Sequence, residues 1–166
     1  MEMYKRVYVF LISLFLLTAC KHADPEAAIK NCIDVVYTQP DPYHNKQLDT
    51  AVFSRDVFNL LRACRNVEAQ DRERILHSAY PTDKPKLIEG EIFAGLYEGY
   101  SSYSIENIRI NDAKAIAVLA FRNDAYHTDW KDSILLVQEK GWKVDQVNYG
   151  KGGSLKALLK EFVGGE

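Results

Sequence analysis

The hydrophobic pattern of this chain changes period once. Up to about residue 100 the apolar residues recur at helical spacing, and from Tyr103 onward they alternate one in two. A period near 3.6 turns one stripe of a helix toward a core, and a period of 2 turns one face of a strand toward it. Helices come first and an antiparallel meander follows. The order predicts an α+β domain: N-terminal helices packed on one face of a curved antiparallel sheet of about four strands, with a short helix at the C-terminus.

The local signals fill in that outline. Pro25 opens a helix whose Ile29, Cys32, Ile33 and Val36 share a face, and Pro40 and Pro42 stop it. Tyr43 to Asp49 reads as polar and irregular. Ser54 is a helix N-cap, and Val57, Leu60, Leu61 and Cys64 form the stripe of a helix running to about His77. Ile92, Phe93, Leu96 and Tyr97 predict a short helix closed by Gly99. Strands are expected at 103–110, 115–122, 132–139 and 142–149, with a turn at Asn111–Lys114, a polar connection from Asn123 to Lys131, and a hairpin at Lys140-Gly141. Ser154 then starts a last helix with Leu155, Leu158, Leu159 and Phe162 inward.

The first twenty residues have a different character. Lys5 and Arg6 precede an apolar run from Val7 to Leu17 with Ser13 its one polar residue. About eleven residues are too few to span a bilayer, which takes roughly twenty, and they match the apolar region of an export signal. Leu17-Thr18-Ala19-Cys20 resembles the lipobox of bacterial lipoproteins. That resemblance implies a signal peptide over 1–19 that is removed, acylation of Cys20, a lipidated tether over 20–24, and a single α+β domain over 25–166. It places the protein in the cell envelope, anchored to membrane lipid through acylated Cys20. Lys21 stands where an aspartate favours retention in the inner membrane, which tilts the expectation to the outer membrane, facing the periplasm.

Removal of the signal would leave about 147 residues, enough for one ordinary core. The formal charge is −2 for the whole chain and would become about −3 without Lys5, Arg6 and Glu2. Charges of both signs are interspersed, and nothing provides the basic face of a nucleic-acid-binding protein. Cys32 and Cys64 remain. In an oxidising compartment they admit either a disulfide or two separately buried thiols.

The segments IEGEIFAGLYEGYSSYSIENIRINDAKAIAVLAF (Ile88 to Phe121) and ILLVQEKGWKVDQVNY (Ile134 to Tyr149) resemble a family of small bacterial envelope proteins. The family has a cystatin-like roll related to the nuclear transport factor 2-like superfamily. The resemblance implies a sheet wrapped around helices and leaves activity open, because that superfamily holds isomerases, dehydratases, binding modules and structural domains.

No residue set forms a catalytic constellation. Asp132 and Asp145 read as solvated carboxylates at strand ends or on the outward phase. His127 and Asp129, near Asp124, supply too few convergent ligands for a metal site. Gly150-Lys151-Gly152-Gly153 lacks the rest of a phosphate-binding pattern and reads as a strand-to-helix link. Trp142 reads as core or pocket lining. Tyr97, Tyr100 and Tyr103 are the candidate binding surface, since tyrosine joins an apolar face to a polar tip. No cofactor is called for. The leading expectation is a non-enzymatic binding or interaction module with an envelope protein as partner, an immunity-type protein being one version. The alternatives are a small-molecule pocket protein or isomerase-like enzyme of the same fold, and a structural subunit of an envelope complex.

Overall fold

A computed structural model describes residues 24–164. The expected lipidation site, Cys20, lies outside the described residues. The order of elements is α1 (Pro25–Tyr37), α2 (Asp49–Val52), α3 (Arg55–Leu76), β1 (Ser102–Asn111), β2 (Lys114–Asn123), β3 (Thr128–Glu139), β4 (Gly141–Asn148) and α4 (Leu155–Gly164). The fold is the expected α+β arrangement. The four strands form one antiparallel sheet in the order β1-β2-β3-β4.

The two long helices, α1 and α3, start where their sequence says they should. The Asp24 side chain accepts from Glu26 N at the head of α1, with Pro25 in the first turn. Ser54 Oγ accepts from Val57 N at the head of α3. Ser54 also ties that helix to the sheet, because its hydroxyl donates to Asp145 Oδ1 at 2.6 Å and its N–H to Val144 O at 2.9 Å. The buried face of α1 is Ile29, Cys32, Ile33, Val36 and Tyr37, and that of α3 is Val57, Leu61, Cys64, Glu68 and Ile75.

These faces pack on Ala115, Ala117, Leu119 and Phe121 of β2, Trp130, Ile134 and Leu136 of β3, and Val144 and Val147 of β4. Phe53 and Phe93 stack in the centre with ring centroids 5.3 Å apart. The interior of the roll is therefore filled with side chains. The two thiols are free, and each faces a different carbonyl: Cys32 Sγ that of Val52 at 3.7 Å, Cys64 Sγ that of Leu159 at 3.4 Å. Burial pushes both thiols up to about 11.

Two of the expected elements are corrected by the structure. The segment from Ile92 to Gly99 is irregular, not helical. Its backbone groups bond to side chains in place of the carbonyls a turn away: Phe93 N to the neighbouring Glu91 Oε1, and, from distant parts of the chain, Gly95 N to Asp132 Oδ2, Ile92 O to the Tyr149 hydroxyl and Phe93 O to the Tyr37 hydroxyl. The polar connection before β3 is shorter than expected, since β3 begins at Thr128 and pairs Asn123↔Thr128 through Phe121↔Trp130. At the end of the irregular Tyr43–Asp49 stretch comes a single helical turn not expected from the sequence, α2, whose Thr50 and Ala51 carbonyls accept from the buried Lys143 ammonium. Trp142 is buried in the core, as expected, on β4, an edge strand whose edge Phe53 covers through a bridge to Val144.

Candidate binding surface

Two long connections, residues 38–48 and 88–101, meet at the end of the sheet where β1 starts and β2 ends. Tyr37 joins them to the core. Its ring lies 5.8, 5.2 and 5.4 Å from those of Tyr100, Tyr103 and Phe121, and its hydroxyl donates to Phe93 O at 2.7 Å. The Tyr100 hydroxyl donates to Tyr37 O at 2.9 Å, and that of Tyr103 to Asp34 Oδ1 at 2.7 Å. Two of the three sequence-predicted tyrosines are thus half-buried parts of an aromatic cluster. Tyr97 stands apart at 61 % exposure. Its backbone carbonyl accepts from Glu91 N, and its ring lies so close to Gly90 (φ +74°) that a Cβ there would come within 2.4 Å of it.

Two grooves adjoin on this end of the molecule and share Pro40 and Glu91. One, of about 300 Å³, lies between Asp41, Pro42, Tyr43, His44 and the Ile88–Phe93 segment. The other, of about 330 Å³, lies between Thr38, Gln39, Glu98 and Tyr100. Glu91 is half-buried, and burial pushes its carboxyl above the usual carboxylate value, with the nearby Asp41 adding to the shift and the Phe93 N–H opposing it. Among the described residues no lysine or arginine lines either groove. His44 Nδ1 lies 2.9 Å from Asp41 Oδ2, while among the described residues Glu91 and Glu98 have no ion-pair partner.

Asp132, expected in solvent, is 2 % exposed. It accepts from Gly95 N at 2.7 Å, Trp130 Nε1 at 3.0 Å and Gly150 N at 2.8 Å. A carboxylate beside Tyr37 and Tyr149 has the makings of an acid–base site. Both of its oxygens are already taken, however, and both tyrosine hydroxyls donate to backbone carbonyls. The set works as a clasp that holds the 92–96 segment and the β4–α4 link onto the sheet. Gly150 serves the same clasp, since a Cβ there would come within 2.0 Å of Lys131 O. Asp145 is partly buried rather than solvated. Burial pushes its carboxyl up, but hydrogen bonds from Lys156 and Ser54 outweigh that and hold it below the usual value. Among the described residues no group of three or more His, Cys, Asp or Glu side chains converges as a metal would require. No helix of the described residues is long and apolar enough to cross a membrane.

Among the described residues no helix covers the other face of the sheet. Ile116, Val118, Leu135 and Val137 lie there, with Ile116 47 % exposed, and a dip of about 300 Å³ runs among Arg109, Lys114, Ile116, Leu135 and Val137. A wider one of about 570 Å³ lies by Ser102, Ser104, Ala120 and Lys131. Charges beside the wider dip are paired, Lys131 with Glu106 at 2.7 Å and Arg122 with Asp124 at 2.7 Å. Sequence reasoning missed Tyr37, Asp41 and Glu91. The tyrosine-rich run Tyr97–Tyr103 was the available signal for this end of the molecule. Comparison with protein-family models, with curated proteins and with solved structures finds no match to this chain.

Proposed function

We propose that this chain is a lipid-anchored binding module of the bacterial cell envelope, attached to a membrane through acylated Cys20 and engaging an envelope protein at the Tyr97–Tyr100 end of its roll. The filled interior carries this reading. Phe53, Phe93, Trp142 and aliphatic side chains occupy the space where a pocket enzyme of such a roll would hold its substrate. The most deeply buried carboxylate, Asp132, is satisfied by three structural donors. Recognition then falls to the surface, and exposed Tyr97 beside the two grooves suits a protein interface.

The anchor and the surface are tested separately. Labelling cells with radioactive palmitate should mark the protein, and Cys20→Ser should abolish the label and move the protein to the soluble fraction. A variant that stays membrane-bound overturns the anchoring. A photo-crosslinking residue placed at Tyr97 should give a discrete adduct in envelopes, and one placed at Ile116 should not. Adducts at Ile116 alone would favour the structural-subunit reading, which the apolar strip on the open sheet face supports. Absence of any adduct at Tyr97 overturns the proposed surface.

A further inference from the structure

We propose that the two grooves sharing Pro40 and Glu91 take an extended, lysine- or arginine-bearing segment of a partner protein. This rests on the reading of that end of the roll as the binding surface, and it adds the chemistry of what binds there.

The argument starts from charge. The chain as a whole is close to neutral, at −2, so a general acidic field does not select cations. The asymmetry is local. Asp41, Glu91 and Glu98 line the grooves, and among the described residues no lysine or arginine does; Asp41 meets the His44 ring, while Glu91 and Glu98 have no ion-pair partner there. On the open sheet face, in contrast, Glu106 and Asp129 already have cationic partners in Lys131 and Arg122. A half-buried carboxylate without a counter-charge is costly to keep ionised. An incoming cation removes that cost at Glu91, so the groove gains more from a cation than an exposed acidic patch would.

The walls specify the rest of the ligand. Pro42, Ile88 and Phe93 give one groove an apolar side against which the methylene stem of a lysine or arginine lies while its head reaches Glu91. In the other groove the Tyr100 ring stands beside Glu98, a pairing that suits a guanidinium or ammonium over an aromatic face. Two adjoining grooves, each with an acidic group and an apolar wall, fit alternate side chains of one extended strand, which project on the same side. The carboxylates do not converge as a metal would require, so a bare ion lacks this fit.

The test uses the full chain purified in detergent micelles. The probe is a fluorescent peptide of alternating glycine and lysine, with a glycine–glutamate peptide of equal length as control. Fluorescence anisotropy should show the cationic peptide binding about tenfold or more tightly, with affinity falling as salt rises. The double variant Glu91→Gln/Glu98→Gln should lose about tenfold, while Glu106→Gln on the open face should change it less than about twofold. If the double variant melts well below the wild type, the exposed Glu98→Lys alone carries the test and should weaken binding. No binding of the cationic peptide, equal binding of both peptides, or binding unchanged by the groove variants overturns the proposal. Crosslinking from Tyr97 separates the two levels. Adducts that persist undiminished in Glu91→Gln/Glu98→Gln leave the binding surface standing and remove the cationic segment, whereas no adduct from the wild type removes the surface itself.

Discussion

At the scale of the residue, Asp132 shows how one side chain organises three segments. Gly95 belongs to the 92–96 segment, Trp130 to β3 and Gly150 to the link before α4, and all three donate to this one carboxylate. Its buried position was in fact legible. Trp130, Asp132, Ile134 and Leu136 are spaced by two, and all are buried. Starting the strand at residue 132 hid this, because the inward Trp130 fell into the loop and the aspartate became a strand end. Asp132→Ala leaves three donors without an acceptor, each costing about 1–3 kcal/mol. A loss of at least ~3 kcal/mol is therefore expected in urea denaturation, a large share of a typical domain's stability of about 5–15 kcal/mol. Asp132→Asn keeps one carbonyl oxygen and should lose less. A loss below ~1 kcal/mol in the alanine variant would show that the clasp contributes little.

At the scale of the element, the strands and long helices were legible because periodicity and caps agree. Proline at the head of α1, serine before α3 and alternation through β2 and β3 each point to the element that forms. The 92–99 segment shows where such agreement fails. Ile92, Phe93, Leu96 and Tyr97 have helical spacing, but a segment this short gains little from propensity alone. Its carbonyls and N–H groups find better partners in Tyr37, Tyr149 and Asp132, all contributed by tertiary structure. Nothing in a local window shows those partners. The same dependence makes Ser54 more than a cap. Its hydroxyl serves α3 through Val57 N and the sheet through Asp145. An N-cap serine replaced by alanine costs typically about 1 kcal/mol, within a range of roughly 0.5–2. Ser54→Ala should reach the upper part of that range, because it also strips a hydrogen bond from a partly buried carboxylate. Chemical denaturation of Ser54→Ala against Ser54→Asp separates the two contributions: aspartate restores the cap but faces Asp145 with like charge, and should not restore full stability.

At the scale of the whole molecule, the described helices cover one face of the sheet and leave the end proposed for binding to two connections far apart in the chain. That is why the class of fold was legible and the grooves were not. Asp41 and Glu91 meet only once the sheet and α1 have brought residues 38–48 against residues 88–101. The proposed binding end also leaves a mark on stability. Glu91 sits above the ordinary carboxylate value of 4.5 in the folded protein, through burial and the charge of Asp41, with Tyr37, Tyr100 and Tyr149 also around it. Between its unfolded and folded values the native state holds more protons, so this group's contribution to stability falls as pH rises through that window. Asp145 works in the opposite sense. Its folded value lies below 3.8 through Lys156 and Ser54, so its contribution is present above 3.8 and is lost as pH falls through the folded value. Glu91→Gln, which keeps an oxygen for Phe93 N, should therefore be more stable than the wild type at pH 7, with the difference shrinking toward pH 4.5. Asp145→Asn should be less stable at pH 7, with its difference shrinking below 3.8. Urea denaturation across that pH range decides between the two slopes. A Glu91→Gln variant destabilised at neutral pH would mean that the Glu91 charge is already balanced within the fold, and the grooves would then lack the uncompensated carboxylate that a cationic partner is expected to meet.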